Sequence, residues 1–290
     1  MMEHEPSAAA RSMDVSDPEL ASAIAKQSQL FSILGAFDGM LIAFSGGADS
    51  AYLAWAAHKT IGSRAIAVTA LSPSFAEFDR REAESFARFA GLRHEWMETR
   101  EFENPSYVAN QADRCYFCKD ELFEEMEKIA TARGISAIAY GINVDDTRDF
   151  RPGHRAASEH RILAPLLDAG LTKTEIRLLS RVAQLPTWDR PASACLSSRV
   201  PYGTPVTREI LVRIEKSEAA LRDLGFRQFR VRAHGDLARI EVGRDEIAHA
   251  LSPEISQQLA ARIKQAGFTF VTLDLEGYRQ GSLNVLLGKK

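Results

Sequence analysis

The stretch that most constrains this chain is Ser45-Gly-Gly-Ala-Asp-Ser50. Before it stands a short apolar run, Met40-Leu-Ile-Ala43, bounded by Gly39, which reads as a buried parallel strand. After it, Ser50 to Ile61 is rich in Ala, Leu, Tyr and Trp and reads as a helix. A strand, a Ser/Gly turn and a helix make an anion site. Gly46 and Gly47 let the backbone approach an anion closely. The unpaired N–H groups at the helix start, with the positive end of its dipole, then hold that anion. Ser45 and Ser50 add hydroxyl donors. No G-x-x-x-x-G-K-[ST] is present, so the lysine that serves a γ-phosphate in the Walker loop is missing.

At 290 residues the chain is long enough for two domains. Its net charge of −3 offers no global basic field for nucleic acid. No apolar run reaches membrane-spanning length, and the first residues lack a basic region followed by an apolar segment. Three cysteines cannot all pair, and a CxxC in such a chain indicates metal or redox chemistry in a reducing compartment. A cytoplasmic location without a membrane partner is expected.

Residues 1–15 lack periodicity and read as a disordered tail. Ser16-Asp-Pro-Glu reads as a helix start, and that helix runs to about Leu34. Past the glycine turn and its helix come a strand at Arg64–Ala70, an amphipathic helix at Glu77–Ala90 and a strand at Arg93–Met97. This rhythm predicts a parallel sheet covered on both faces, with ligands at the carboxyl ends of its strands. At one such end, the backbone around Thr69 is placed for an adenine edge. Asn104–Lys119 reads as a loop holding Arg114-Cys-Tyr-Phe-Cys-Lys119, with a helix from about Asp120. A fourth strand, Ala137–Tyr140, ends in Gly141-Ile-Asn-Val-Asp-Asp146, where Asp145 and Asp146 are placed for magnesium or a ribose. A fifth strand is expected at Ile162–Ala164, then a helix capped by Thr172.

From Pro186 the texture changes, and prolines punctuate an irregular junction that carries Pro191-Ala-Ser-Ala-Cys-Leu-Ser-Ser-Arg199. The chain divides as 16–186, a junction at 187–205, and a smaller α+β unit at 206–290. In that unit Thr207–Leu224 reads as a helix with Glu218 at the edge of its apolar stripe. Phe229–Ala233 and Ala238–Val242 alternate as a hairpin. Arg230 and Arg232 fall on one face of it, Arg239 and Glu241 on the face opposite Ile240. Both Arg230 and Arg232 are expected on an open face, where their loss costs little stability.

Cys115, Cys118 and Cys195 are the only cysteines. A CxxC serves as a zinc half-site, a redox pair or a cluster ligand. Closed zinc needs a fourth ligand, for which His94 and His154 are the candidates. Three thiolates on a [4Fe-4S] cluster leave one iron open for a labile sulfide. Residue chemistry alone leaves these alternatives open. Arg230 and Arg232 have the geometry to grip a phosphate or carboxylate, and Glu218 and Glu241 are candidate bases or polar anchors.

Ser45-Gly-Gly-Ala-Asp-Ser50 resembles the PP-loop of the ATP pyrophosphatases, which cleave ATP between the α and β phosphates and hold pyrophosphate in the loop. The later segments narrow the resemblance. GINVDDTRDFRPG, APLLDAGLTKTEIR, PASACLSSR and VRAHGDLARIEV, in that order, are similar to the LarE family across about residues 30–273. The resemblance implies an α/β, Rossmann-like, adenine nucleotide alpha hydrolase-like PP-loop domain followed by a smaller α+β domain. It implies an ATP-dependent sulfur transferase that adenylates the carboxylates of a pyridinium dicarboxylate mononucleotide and converts them to thiocarboxylates for a nickel-pincer nucleotide. ATP with Mg2+ would occupy Ser45, Gly46, Gly47, Asp49, Ser50, Thr69, Gly141 and Asp145. Cys195 would handle sulfur, with Glu218 and Glu241 near the site. Arg230 and Arg232 would take the substrate phosphate, with Arg199 beside them. The three cysteines match the family style in which a [4Fe-4S] cluster passes on sulfide, rather than the style that sacrifices one cysteine. A homo-oligomer is implied; the sulfur donor is not. The rivals are a PP-loop tRNA thiolase, against which the net charge stands, and a nucleotide-binding regulator with a structural zinc knuckle.

Overall fold

The computed structural model describes residues 18–148, 152–191, 193–279 and 281–282. The expected tail, the Ser16 cap and part of the loop after Asp146 lie outside the described residues.

The first half alternates strand and helix. In chain order it runs α1 (Pro18–Gly35), β1 (Met40–Ala43), α2 (Ala48–Ile61), β2 (Ala65–Leu71), α3 (Glu77–Phe89), β3 (Arg93–Glu98), α4 (Pro105–Val108), α5 (Arg114–Arg133) and β4 (Ala137–Tyr140). Three more helices follow, α6 (Pro152–Glu159), α7 (Pro165–Asp168) and α8 (Lys173–Val182). Every pairing in this sheet is parallel, and the order is β3-β2-β1-β4. The chain winds from β1 outward to β3, then returns to place β4 on the other side of β1. The strand order therefore reverses between β1 and β4, and the turn after β1 opens at that switch point.

β1 is buried along its whole length, because helices cover both faces. Successive side chains point to opposite faces. Met40 and Ile42 join a core with Leu30, Leu34, Tyr52, Leu53, Phe86, Ile176 and Leu179. Leu41 and Ala43 join another with Leu122, Phe123, Met126 and Ala156. Thr172 caps α8 in a reciprocal capping box with Glu175.

The second half contains α9 (Arg208–Asp223), β5 (Phe229–His234), β6 (Leu237–Val242), α10 (Ile247–Ala250), α11 (Pro253–Gln265) and β7 (Phe270–Leu273). β5 and β6 form the expected antiparallel hairpin, with Phe229 opposite Val242, and β7 adds parallel to β6. Leu211, Ile214, Leu221, Leu259 and Ile263 pack on the apolar face of this sheet. Leu196, Val200 and Val206 from the preceding segment belong to the same core. No described helix is long and apolar enough to cross a membrane.

Three sequence readings of structure need correction. The CxxC does not sit in a loop: α5 begins at Arg114, so both cysteines lie in its first turns. Nothing in the run from Arg114 to Asp120 breaks a helix. The fifth strand at Ile162–Ala164 is a single bridge between Ala139 and Leu163. α2 starts at Ala48, which brings Asp49 and Ser50 into its first turn.

Gly141 ends β4 where the sheet meets α2. A Cβ there would lie 2.8 Å from Ser50 N and 2.9 Å from Ser50 Cα. Backbone cannot yield as a flexible side chain would. Gly141→Ala should destabilise the protein by about 1–3 kcal/mol, the usual cost of overpacking, read from the denaturation midpoint. An unchanged midpoint would show that β4 does not press on the start of α2.

Candidate active site

At the switch point the glycine turn is held by its serines. Ser45 N donates to Ser50 Oγ at 3.2 Å, the two hydroxyls lie 3.1 Å apart, and Ser50 Oγ donates to Gly47 O at 3.1 Å. Gly46 adopts φ +72°, and an added Cβ would meet Ala83 Cβ of α3 at 3.0 Å. Glycine is needed there for conformation and for space. Gly47 occupies the N-cap of α2, and no side chain caps the helix. Its first-turn N–H groups thus remain directed at the turn, which is the requirement for holding a phosphate.

The structure brings Ser45, Gly46, Gly47, Asp49, Ser50 and Gly141 to this one place. Thr69 lies on the neighbouring strand, where its hydroxyl donates to Phe44 O at 2.6 Å and meets His94 Nε2 at 2.9 Å. His94 packs against Phe44 and Trp96, and burial holds its imidazole below the ordinary value. Asp145 Oδ2 accepts from Lys173 N at 2.8 Å, which ties the end of β4 to the start of α8. His154 lies against the Tyr140 ring.

The cysteines are gathered by a buried polar seam. Arg114, almost fully buried, donates to Asn110 Oδ1 and to Ser197 O, the latter at 2.8 Å. Asn110 is left-handed at φ 55° and wholly buried. Its Nδ2 donates to the carbonyls of Pro201 and Thr204, both at 2.9 Å. Tyr107 and Ser197 share a hydroxyl contact at 2.8 Å, and Leu196 N donates to Ser74 O at 2.8 Å, beyond the end of β2. The segment carrying Cys195 is thereby sewn to the helix carrying Cys115 and Cys118. Residues three apart lie on one side of a helix, so those two thiols share a face of α5.

Their electrostatics agree. Burial works against a charged Arg114, but the negative charge that Cys195, Cys115 and Tyr107 can carry outweighs it and raises the guanidinium above its ordinary value. Burial pushes the Cys118 thiol far up, and charge on Cys195, Glu101 and Cys115 adds to the effect. All three cysteines are free thiols. Among the described residues, no three Cys, His, Asp or Glu groups are close enough to hold a metal ion. In kind, three thiols are donors that suit an iron–sulfur cluster or zinc, and as placed they do not form a closed metal site.

The hairpin arginines are not on an open face. Arg232 and Glu241 are buried, with Arg232 Nη2 donating to Glu241 Oε2 at 2.9 Å and Nη1 to Ser198 O at 2.9 Å. Arg239 donates to the other Glu241 oxygen at 2.9 Å. The segment around Ser198 covers this face, and alternation within the hairpin carries no sign of that cover. Glu218 is likewise buried rather than at the boundary with solvent. Arg199 grips it with two hydrogen bonds of 2.9 and 3.0 Å, and Val231 N adds a third. Burial alone would raise the Glu218 carboxyl, but Arg199 and then Arg230 overcome it and hold it below the usual carboxylate range. Arg199 also donates to Cys195 O at 3.0 Å.

Arg230, half-buried over the Tyr278 ring, lines a cavity of about 300 Å³ with Lys173, Arg177, Arg227 and Gln228. Among the described residues, four cations and no carboxylate face it. A hollow of about 360 Å³ lies elsewhere, lined by Glu127, Thr131, Ser136 and His160, and contains none of the site residues above.

No family model matches the chain. An uncharacterized protein of Synechocystis sp. is 42% identical over 264 residues, 91% of this chain and 98% of that protein. The pyridinium-3,5-bisthiocarboxylic acid mononucleotide synthase of Lactiplantibacillus plantarum is 32% identical over 271 residues, 93% of this chain and 98% of the synthase. The chain belongs to this synthase family. An uncharacterized protein of Methanocaldococcus jannaschii, 27% identical over 83% of the chain, is a more distant relative.

Sequence reasoning about this synthase-family chain missed Arg114, Asn110, Asp79 and Arg190. Arg114 adjoins Cys115, and that adjacency was the available signal. Asn110 had none, because its role is to satisfy carbonyls ninety residues away in the chain. Arg190 Nη1 donates to Gly46 O at 2.9 Å, and Nη2 donates to Asp79 Oδ1 at 2.8 Å.

Arg199→Ala leaves Glu218 buried without its cation and should cost about 3–5 kcal/mol at neutral pH. The depressed Glu218 contributes stability in full above the unfolded carboxylate value of about 4.3, and that contribution is lost as pH falls through the lower folded value. The gap between wild type and Arg199→Ala should therefore shrink on acidification in denaturant melts. A gap of equal size at neutral and strongly acidic pH would show that the pair does not supply it.

Proposed function

We propose that this protein is an ATP-dependent sulfur transferase that converts the carboxylates of a pyridinium dicarboxylate mononucleotide to thiocarboxylates, a step in making a nickel-pincer nucleotide. The observation that carries this reading is the likeness to the named synthase over nearly its whole length. The PP-loop at the switch point supports the ATP half of the reaction, and the free thiols sewn beside Arg114 support the sulfur half.

The α2 N–H groups and the Ser45 and Ser50 hydroxyls bind the β and γ phosphates, which become the leaving pyrophosphate. Asp49, Gly141, Asp145 and the strand end at Thr69 surround the rest of the nucleotide, with Mg2+ neutralising its phosphates. A substrate carboxylate attacks the α-phosphorus, pyrophosphate leaves, and an acyl-adenylate results. This activation is required because a carboxylate is a poor electrophile and AMP a good leaving group. A sulfur nucleophile from the cysteine site then attacks the acyl carbon, and AMP departs. Cys115, Cys118 and Cys195 are the thiols that would hold a [4Fe-4S] cluster, and such a cluster would supply sulfide to this step. Arg230 and its neighbouring cations take the substrate phosphate. Glu218 and Glu241, each clasped by arginines, act as polar anchors that hold Arg199 and Arg232 in place. Residues 16–186 form the ATP-cleaving domain and 206–290 the substrate-binding domain, joined by the segment that bears Cys195.

Ser45→Ala and Asp49→Ala should abolish AMP formation from ATP and the mononucleotide while the thermal melt stays near that of the wild type. Unchanged ATP cleavage in both would contradict the assignment. Protein purified without oxygen should contain iron and sulfide, and Cys115→Ala should lose both together with turnover. Zinc in place of iron would contradict the cluster. So would one round of sulfur transfer by the Cys115→Ala, Cys118→Ala variant with Cys195 converted to dehydroalanine.

A further inference from the structure

Arg190 and Asp79 have no part in the mechanism above, yet they join its two halves. The Arg190 guanidinium is largely buried. Nη1 donates to the carbonyl of Gly46, inside the PP-loop, and Nη2 donates to Asp79 Oδ1 near the start of α3. The other Asp79 oxygen accepts from the Ser193 hydroxyl at 2.9 Å, two residues before Cys195. Arg177 Nη2 donates to the Arg190 carbonyl at 2.6 Å, which fixes the Arg190 backbone independently of its guanidinium bonds. Glu82 lies 3.9 Å from the same guanidinium, and the charges of Arg199 and Arg222 also reach Asp79. One carboxylate thus holds, at the same time, the cation that touches the PP-loop and the hydroxyl beside the sulfur-handling cysteine.

We infer that Arg190 is a positioning residue that couples anion occupancy of the PP-loop to the hold on the Cys195 segment, through Asp79 and Ser193. This inference rests on the reading of the loop as a pyrophosphate site. A guanidinium bonded to a loop carbonyl is within Coulombic reach of a multiply charged anion bound by that loop. Such an anion competes with Asp79 for Arg190, and guanidinium prefers the bidentate grip that phosphate oxygens offer. As Arg190 turns, Asp79 loses its cation and its alignment on Ser193. The Cys195 segment then keeps its anchors at Ser74 and Arg199 and loses the one at Asp79. An empty loop restores the clasp. Sulfur is thereby presented when ATP has been engaged and held back when it has not, which protects a reactive sulfur from transfer to anything but the acyl-adenylate.

The test reads Cys195 by mass spectrometry after brief exposure to iodoacetamide of the full-length protein prepared free of metal, so that Cys195 is a free thiol as in the structure, with inorganic pyrophosphate as the probe and its binding followed by calorimetry. Saturating pyrophosphate should accelerate Cys195 alkylation by about threefold to tenfold, the equilibrium worth of one modest hydrogen bond. In Arg190→Ala, Cys195 should react at the faster rate without pyrophosphate and show no further response. Asp79→Asn should behave the same way, and it retains the side-chain shape should Arg190→Ala fold poorly. Arg190→Lys keeps a charge that cannot bridge Gly46 and Asp79 together, and its response should be intermediate. A purely structural role would lower the melting temperature without removing a ligand-dependent response. Pyrophosphate that binds without changing, or while slowing, Cys195 alkylation in the wild type would overturn the coupling alone. Failure of pyrophosphate to bind would remove the reading of the loop and the coupling with it.

Discussion

The buried guanidinium of Arg114 is the contact on which the site depends. It donates at once to the Asn110 side chain and to the Ser197 backbone. Through Asn110 it reaches the carbonyls of the segment that leads into the second sheet. A cation this deep is costly unless every donor finds an acceptor and negative charge stands near. Here the acceptors are carbonyl and amide oxygens, and the nearby negative charge is what Cys195 and Cys115 can carry. Without that seam, α5 and the Cys195 segment would share no reason to meet.

The second sheet repeats the pattern with carboxylates. Glu218 and Glu241 are buried, and each is clasped by arginine. Buried ion pairs of this kind add little net stability compared with apolar packing, but breaking one is expensive. What they secure is geometry. Arg199 ties Glu218 to the Cys195 carbonyl, and Arg232 ties Glu241 to Ser198. The segment that bears Cys195 is therefore fixed on one side by the second sheet and on the other by Arg114 and Ser74. Arg230 faces a cavity lined by Lys173, Arg177 and Arg227. The local balance of charge there calls for an anion.

Much of this was legible in the sequence, for reasons that can be named. The parallel sheet followed from strands that read as continuous apolar runs between helical periods, and the PP-loop followed from its position after the first of them. The hairpin followed from alternation. These are local signals. The misreadings came from long-range cover. Alternation correctly put Arg230 and Arg232 on one face, but it could not reveal that Ser198 lies over Arg232. The stripe on α9 put Glu218 at an edge, but the partner that buries it, Arg199, is nineteen residues away. An apolar triplet such as Ile162–Ala164 looks the same whether or not a ladder continues, and here only Leu163 bridges. The CxxC carries no loop signal of its own, and the backbone follows the helix-compatible residues around it.

The proposed reaction rests on one coupling, that each cleaved ATP installs one sulfur. The direct measurement is the ratio of AMP released to thiocarboxylate formed, by chromatography and mass spectrometry, from the pyridinium dicarboxylate mononucleotide with ATP and sulfide in the absence of oxygen. The account expects one AMP per sulfur over more than one turnover, with the mass of Cys195 unchanged. AMP released with no sulfur in the product would contradict it.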